Sequence, residues 1–192
     1  MSGMRSVVYT LSVSVDGFME GPDREIDWHL VDTELHAHMN EWLSAAGAFL
    51  EGRVSWDLMA GYWPTADRDP AASDVIVEFA RIWRDMPKIV YSRSLDPGAL
   101  AWNTTLARSI DVSDVERLKA APGGDLVVGG AETAAEFMRH DLIDEYRVYV
   151  HPVLIGRGKR MFLDPSVKAS LRLVETRTFG NGVVLLRYRR SG

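Results

Sequence analysis

The residues of this chain that could do chemistry cluster where apolar, strand-like runs give way to glycine. Leu126-Val-Val128 is β-branched and apolar, Gly129-Gly130 follows at once, and a helical pattern with Ala134, Phe137 and Met138 on one side comes next. A strand turning into a helix through two glycines gathers free backbone N–H groups and a positive helix end at one point. Without side chains in the way, a phosphate can approach the main chain there. The stretch therefore reads as a seat for a dinucleotide pyrophosphate on Gly129, Gly130 and the N–H groups of Ala131, Glu132 and Thr133, or else as a tight strand-to-helix turn and nothing more. It lacks the Gly-x-Gly-x-x-Gly spacing of the doubly wound dinucleotide fingerprint, so a nucleotide bound here would sit on another fold. Gly52-Arg53-Val54-Ser55 repeats the logic: Gly52 permits close approach, Arg53 can face a phosphate, and the Ser55 hydroxyl can donate near a helix start. Taken alone, it is equally a solvated turn.

These turns need elements to hold them. Ser6 to Val15 reads as a central strand that ends at Asp16-Gly17, before a segment broken by glycine and proline that reaches Trp28 and has the composition of a mobile loop. Asp32 or Thr33 can cap a helix carrying Leu35, Met39, Trp42 and Leu43. Ala48-Phe-Leu50 is a short strand, followed by a short helix through Met59. Residues 61–73 read as a surface loop, 74–84 as an amphipathic helix, and Lys88 to Tyr91 as a strand ending at Ser92-Arg93-Ser94. A further strand is expected at 106–110, and a brief helix capped by Ser113. Beyond 140 the pattern changes to a long strand from Asp144, an apolar run through Ile155, and a hairpin about Gly180-Asn181-Gly182. No repeat or linker divides the 192 residues, which implies one domain, 1–192, with a mixed, mostly parallel sheet between helical layers and an antiparallel edge.

Composition narrows the function. Net charge is −5, which offers no nucleic-acid surface, and an anionic cofactor would need a local positive cluster. There is no cysteine, which excludes disulfides, thiolate zinc sites, iron–sulfur clusters and a cysteine nucleophile. No metal site is expected from the five histidines, since His36 and His38 cannot face one ligand. No stretch reads as a signal peptide or a membrane span, so the expected compartment is the cytoplasm.

Four stretches resemble the dihydrofolate reductase superfamily, and most closely the reductase domain of bifunctional riboflavin-biosynthesis deaminase–reductases and their stand-alone relatives. They are Leu11-Ser-Val-Ser-Val-Asp16-Gly17-Phe18, Gly52-Arg53-Val54-Ser55-Trp56, Val127-Val-Gly129-Gly130-Ala131, and the long run from Leu142 through Pro152, Gly156 and Gly158-Lys159-Arg160 to Phe162. The resemblance implies an α/β, dihydrofolate reductase-like three-layer fold and a homodimer. It also implies NADPH along the C-terminal edge of the sheet and hydride transfer to a small pteridine- or pyrimidine-like heterocycle. The reaction would be of the dihydrofolate reductase or 5-amino-6-(5-phosphoribosylamino)uracil reductase type. A non-catalytic nucleotide-binding module of the same fold is the alternative. The zinc-binding cysteines of the deaminase half are missing.

Under that resemblance Gly52, Arg53, Val54 and Ser55 bind cofactor, and Arg93 beside Ser92 suits the adenosine 2′-phosphate. Val13 and Ser14 either line the nicotinamide pocket or simply pack the strand. Glu132 favours a helix start but repels phosphate, so it is expected to turn outward. Dihydrofolate reductases place an acid on the helix that follows the tryptophan aligned with Trp28. The nearest residue here is Asp32, one position short, and equally a helix cap. Asp16 at the mouth of the first strand is the other candidate proton donor, and water the third. Trp28, Trp42 and Trp56 read as core or pocket walls, and Gly158-Lys159-Arg160 as a solvated corner or a basic turn at the substrate mouth.

Overall fold

A computed structural model describes residues 4–191. The first strand, β1 (Val7–Ser14), shows why the sheet forms at the centre: Val7, Tyr9 and Val13 point to one face and are buried, while Thr10, Ser12 and Ser14 point to the other. Eight strands follow the order β5-β4-β3-β6-β1-β7-β10-β9. These are β3 (Ala48–Gly52), β4 (Lys88–Tyr91), β5 (Thr104–Ala107), β6 (Leu126–Gly129), β7 (Glu145–His151), β9 (Leu171–Thr178) and β10 (Val184–Arg190). Pairings from β5 to β7 are parallel, and β10 runs antiparallel to both β7 and β9. The antiparallel edge expected from the hairpin signal is therefore present. A small second sheet pairs β2 (Phe18–Glu20) with β8 (Lys159–Arg160).

Helices cover both faces. On one, α4 (Val112–Ala120) and α5 (Ala131–Arg139) bury Val115, Ala134, Phe137 and Met138 against Tyr9, Leu50 and Val128. On the other, α1 (Thr33–Ser44), α2 (Arg53–Tyr62) and α3 (Asp74–Asp85) pack Leu35, Trp56, Phe79 and Trp83 over Phe49, Val90, Val127 and Tyr149. A partly buried aromatic contact on that side, Trp63 edge-on to Phe79 at 4.4 Å, explains one departure from expectation. Residues 61–68 are not a loop, because α2 runs to Tyr62 and a 3₁₀ turn, Trp63–Arg68, tucks Trp63 inward.

Other departures are local. β5 begins at Thr104, two residues before the expected strand, because Trp102 and Asn103 take positive φ and turn the chain early. The cap of α4 is Asp111, whose Oδ1 accepts from the Ser113 N–H at 2.8 Å, rather than Ser113 itself. The apolar run after His151 leaves the sheet instead of extending β7. The segment after Asp16, expected to be irregular, contains β2. No helix among the described residues is long and apolar enough to cross a membrane.

Because β6 inserts between β3 and β1, the crossovers diverge at the carboxyl ends of those strands. Open α/β sheets leave a crevice at such a point.

Candidate functional site

Two compartments occupy that crevice. The first is a groove of about 530 Å³ lined by Gly52–Ser55 at the β3–α2 turn, Ser92–Ser94 after β4, and Gly130–Thr133 at the β6–α5 turn. All three sequence-predicted phosphate elements thus face one space, although they lie tens of residues apart in the chain. The two glycine turns interlock. A Cβ on Gly52 would stand 2.6 Å from Thr133 Oγ1, and a Cβ on Gly130 would stand 2.5 Å from Ser55 Oγ. Gly130 also takes φ +83, a conformation that side-chain-bearing residues rarely adopt. Neither α2 nor α5 has a side-chain cap, in contrast to α1 and α4, which Asp32 and Asp111 cap. Their first N–H groups are left to face the groove.

Charge follows the same geometry. Arg24, Arg53, Arg93 and Lys159 line the groove against Glu20, Glu132 and Glu136. Arg53 bridges two walls, with Nε 3.3 Å from Asp57 and Nη1 donating to Ser94 Oγ at 3.3 Å. The Ser92–Leu95 turn is built by Ser92 Oγ, which accepts from the Leu95 N–H at 3.0 Å, and by Arg108, which donates to the carbonyls of Ser92, Arg93 and Leu95. Arg93 stands exposed at the head of this turn and pairs with no carboxylate among the described residues. Glu132 is largely exposed, as expected, and pairs with Lys159 at 2.9 Å. Lys159 therefore belongs to the rim of the groove, where β8 is held by β2, and the turn that carries it is not a free corner.

The second compartment, about 390 Å³, meets the first at Met19, Glu20, Ser55, Leu58 and Gly130. Its floor is the polar face of the sheet: Thr10 and Ser12 of β1, Glu51 of β3 and Gly129 of β6. Apolar walls come from Ile26, Leu43, Met59 and Phe79, with His29 beside them. Val13 and Ser14 line neither compartment. Val13 points into the opposite core, and Ser14 is buried with its Oγ accepting from the Phe18 N–H at 3.1 Å. Thr10 and Ser12, which precede Ser14 on the same face of β1, line the second compartment instead. Their signal was legible as small polar residues at every second position of an otherwise apolar strand.

The sequence-predicted acids lie apart from this floor. Asp32 Oδ1 accepts from the Leu35 N–H at 2.9 Å and caps α1. Asp16 is half-buried and accepts from the Gly156 N–H at 2.7 Å and the Ile155 N–H at 3.3 Å. The Ser14 hydroxyl, followed by those two N–H groups, holds its carboxyl below the usual range. At the rear, His151 is fully buried and stacks on His29 at 5.0 Å, with Trp28 edge-on to both. Its Nδ1 accepts from the Leu30 N–H at 3.0 Å, and burial, then the neighbouring His29, push its pKa down to about 4. This aromatic knot ties the segment before α1 to the end of β7.

The family model described as RibD C-terminal domain matches residues 5–185. Protein YyaP of Bacillus subtilis (strain 168) is 34% identical over 192 residues, covering 98% of this chain and 96% of that protein. Among solved structures, the diaminohydroxyphosphoribosylaminopyrimidine deaminase/5-amino-6-(5-phosphoribosylamino)uracil reductase of Thermotoga maritima superposes with a TM-score of 0.64 at 18% identity, over 98% of this chain and 57% of that one. A pyrimidine reductase-like protein of Corynebacterium diphtheriae superposes with a TM-score of 0.64 at 12% identity, covering 98% of this chain and 92% of that chain.

Proposed function

The chain belongs to the RibD C-terminal domain family, and from that premise we propose that it is an NADPH-dependent reductase acting on a small pteridine- or pyrimidine-like heterocycle. Family membership implies an oxidoreductase of the pyrimidine-reductase type; the cofactor and substrate class are our reading. The observation that carries it is the interlock of the Gly52 and Gly130 turns, which brings two uncapped helix starts and the Ser92–Ser94 turn to one groove. The residues fit a dinucleotide. The two glycines let the turns pack against each other, their N–H groups suit a pyrophosphate, and Arg93 between two hydroxyl residues suits a terminal phosphate monoester. When bound, the reduced nicotinamide supplies the hydride. The chain's own residues orient and enclose. Thr10, Ser12 and Glu51 offer hydrogen-bonding groups to a flat polar ring, while Ile26, Met59 and Phe79 exclude water around it.

Thermal melts with NADPH, paired with NADPH oxidation against dihydrofolate and 5-amino-6-(5-phosphoribosylamino)uracil, test this reading. At about 100 times Kd, NADPH should stabilise the fold by ~2.7 kcal/mol, and at least one substrate should be consumed. Stabilisation without turnover would favour the non-catalytic module. An unmoved melt would remove the cofactor assignment.

A further inference from the structure

Hydride delivery to a C=N bond leaves a nitrogen that needs a proton, and the acids nearest in sequence point elsewhere. Asp32 is spent on the α1 cap, and Asp16 on the N–H groups of Ile155 and Gly156. Glu51 is the carboxyl that the fold places on the floor. It directly precedes Gly52, the last residue of β3, and is paired in register with Gly129 of β6 and Val90 of β4. Its exposure is 6%. Its Oε1 would lie 3.5 Å from a Cβ on Gly129, so the carboxyl hangs over that glycine, next to Gly130 where the two compartments meet. Oε2 is buried and has no hydrogen-bond partner among the described residues. A buried polar atom without a partner is costly unless a ligand completes it.

Resting on the reductase reading, the geometry points to Glu51 as the catalytic acid of the heterocycle compartment, its Oε2–H hydrogen-bonded to the ring or imine nitrogen of the substrate. As the carbon of the C=N bond accepts hydride from the reduced nicotinamide, which is thereby oxidised, the π pair moves to nitrogen and takes the Glu51 proton. The carboxylate left behind recovers a proton from water once the compartment opens.

The surroundings favour a carboxyl that stays protonated. Of the titratable groups that the described residues turn toward it, β4 supplies Lys88, β2 supplies Glu20 and the segment before α1 supplies His29, whereas α1, α2 and α3 present apolar side chains and Ser55. Lys88 does not neutralise it by contact. Its Nζ donates to the carbonyls of Trp83 and Met86 and lies over the Trp83 ring. Burial pushes the Glu51 pKa up to about 7, with the Lys88 charge opposing. Glu20 lies 4.0 Å from Lys159, and His29 Nε2 faces the Met19 carbonyl at 3.3 Å, so neither offers a free proton to the floor.

The test compares wild type with Glu51→Gln, which keeps shape and hydrogen bonding but cannot release a proton. NADPH affinity by calorimetry should agree within about threefold, since the cofactor groove is untouched, while kcat on the accepted substrate falls by roughly 10²–10⁴-fold. The wild-type pH profile should lose activity as pH rises through neutrality, and Glu51→Gln should lack that limb. Independently of turnover, carboxyl NMR of protein carrying ¹³C-labelled glutamate should show one side chain titrating near neutrality, absent in the variant. Should Glu51→Gln fail to fold, Glu51→Asp takes its place: it deletes the labelled signal, retains a displaced limb, and lowers kcat at least tenfold. A variant matching wild type in kcat and pH profile, or a glutamate spectrum with no neutral titration, overturns the assignment and leaves the reductase reading standing. A wild-type protein that oxidises NADPH with none of the substrates removes both.

Discussion

Substituting the two groove glycines tests whether the Gly52 and Gly130 turns truly lock together. At Gly52 the backbone is ordinary for any residue, φ −80 and ψ 163, so alanine costs nothing in conformation. Its Cβ would, however, stand 2.6 Å from Thr133 Oγ1. Thr133 is buried at 7% exposure and stiff at χ1, so it cannot swing clear without disturbing α5. Overpacking of this kind costs roughly 1–3 kcal/mol, which for a chain of this size lowers Tm by about 2–12 °C. At Gly130 two costs add. The Cβ would stand 2.5 Å from Ser55 Oγ, and φ +83 with ψ 137 strains any residue bearing a side chain, by ~1–3 kcal/mol. Truncating the partner separates the two. On a Thr133→Ala background, Gly52→Ala should cost less than about 0.5 kcal/mol, giving a coupling near 1–2 kcal/mol. On a Ser55→Ala background, Gly130→Ala should recover only the steric part and keep its conformational penalty. Urea unfolding of both four-member cycles reads these values directly. If Gly52→Ala were equally damaging with and without Thr133, the two turns would not touch, and the shared groove would be lost with them.

Arg93→Ala should weaken NADPH by roughly 10- to 100-fold, the worth of a charge-assisted phosphate contact, and leave NADH within about threefold by calorimetry; equal loss of both cofactors would remove Arg93 from the 2′-phosphate. Burial and the neighbouring His29 depress the His151 pKa to about 4, so the fold favours neutral imidazole; its stabilisation is complete above the ordinary histidine range and is lost as pH falls from there toward 4. The full effect is about 3 kcal/mol, and His151→Gln should flatten that limb in urea melts taken at several pH values. Glu145 is buried, which raises its pKa, but the hydrogen bonds of Arg187 and Arg147, aided by Arg189, outweigh burial and hold it low. Glu145→Gln leaves three guanidinium groups facing one another and should cost ~3–5 kcal/mol in denaturant melts. The stability that Glu145 confers should fade only under acid conditions, below the usual carboxylate range.

Much of the architecture could be read from residue patterns, because each pattern reports a local cause. Alternation in Tyr9–Ser14, the Gly180-Asn181-Gly182 turn and the helical spacing of residues 74–84 named β1, the antiparallel edge and α3 without tertiary help. Asp32 as a cap was legible for the same reason, its acceptor lying three residues from the donor. The errors fell where distant packing overrides local preference. Pro64 and Asp67 suggested a loop, yet the docking of Trp63 on Phe79 and the Arg84–Asp67 ion pair wind that stretch into a turn on α3. Asp111 displaced Ser113 as cap by a margin of two residues, a distinction that composition alone does not resolve.

The site divides along the same line. Glycine followed by a helix start is a backbone feature, so Gly52, Gly129, Gly130 and their neighbours, with the Ser92–Ser94 turn, were determined by sequence as places an anion could dock. Which side chains share a compartment is set by strand order and by the face each strand turns inward. Only the insertion of β6 between β3 and β1 set Glu51 over Gly129 and beside Thr10 and Ser12, and only the β2–β8 pairing brought Lys159 to the rim. A lone glutamate ending an apolar strand says little by itself. Its meaning comes from burial and from the absence of a partner, and both are properties of the assembled sheet.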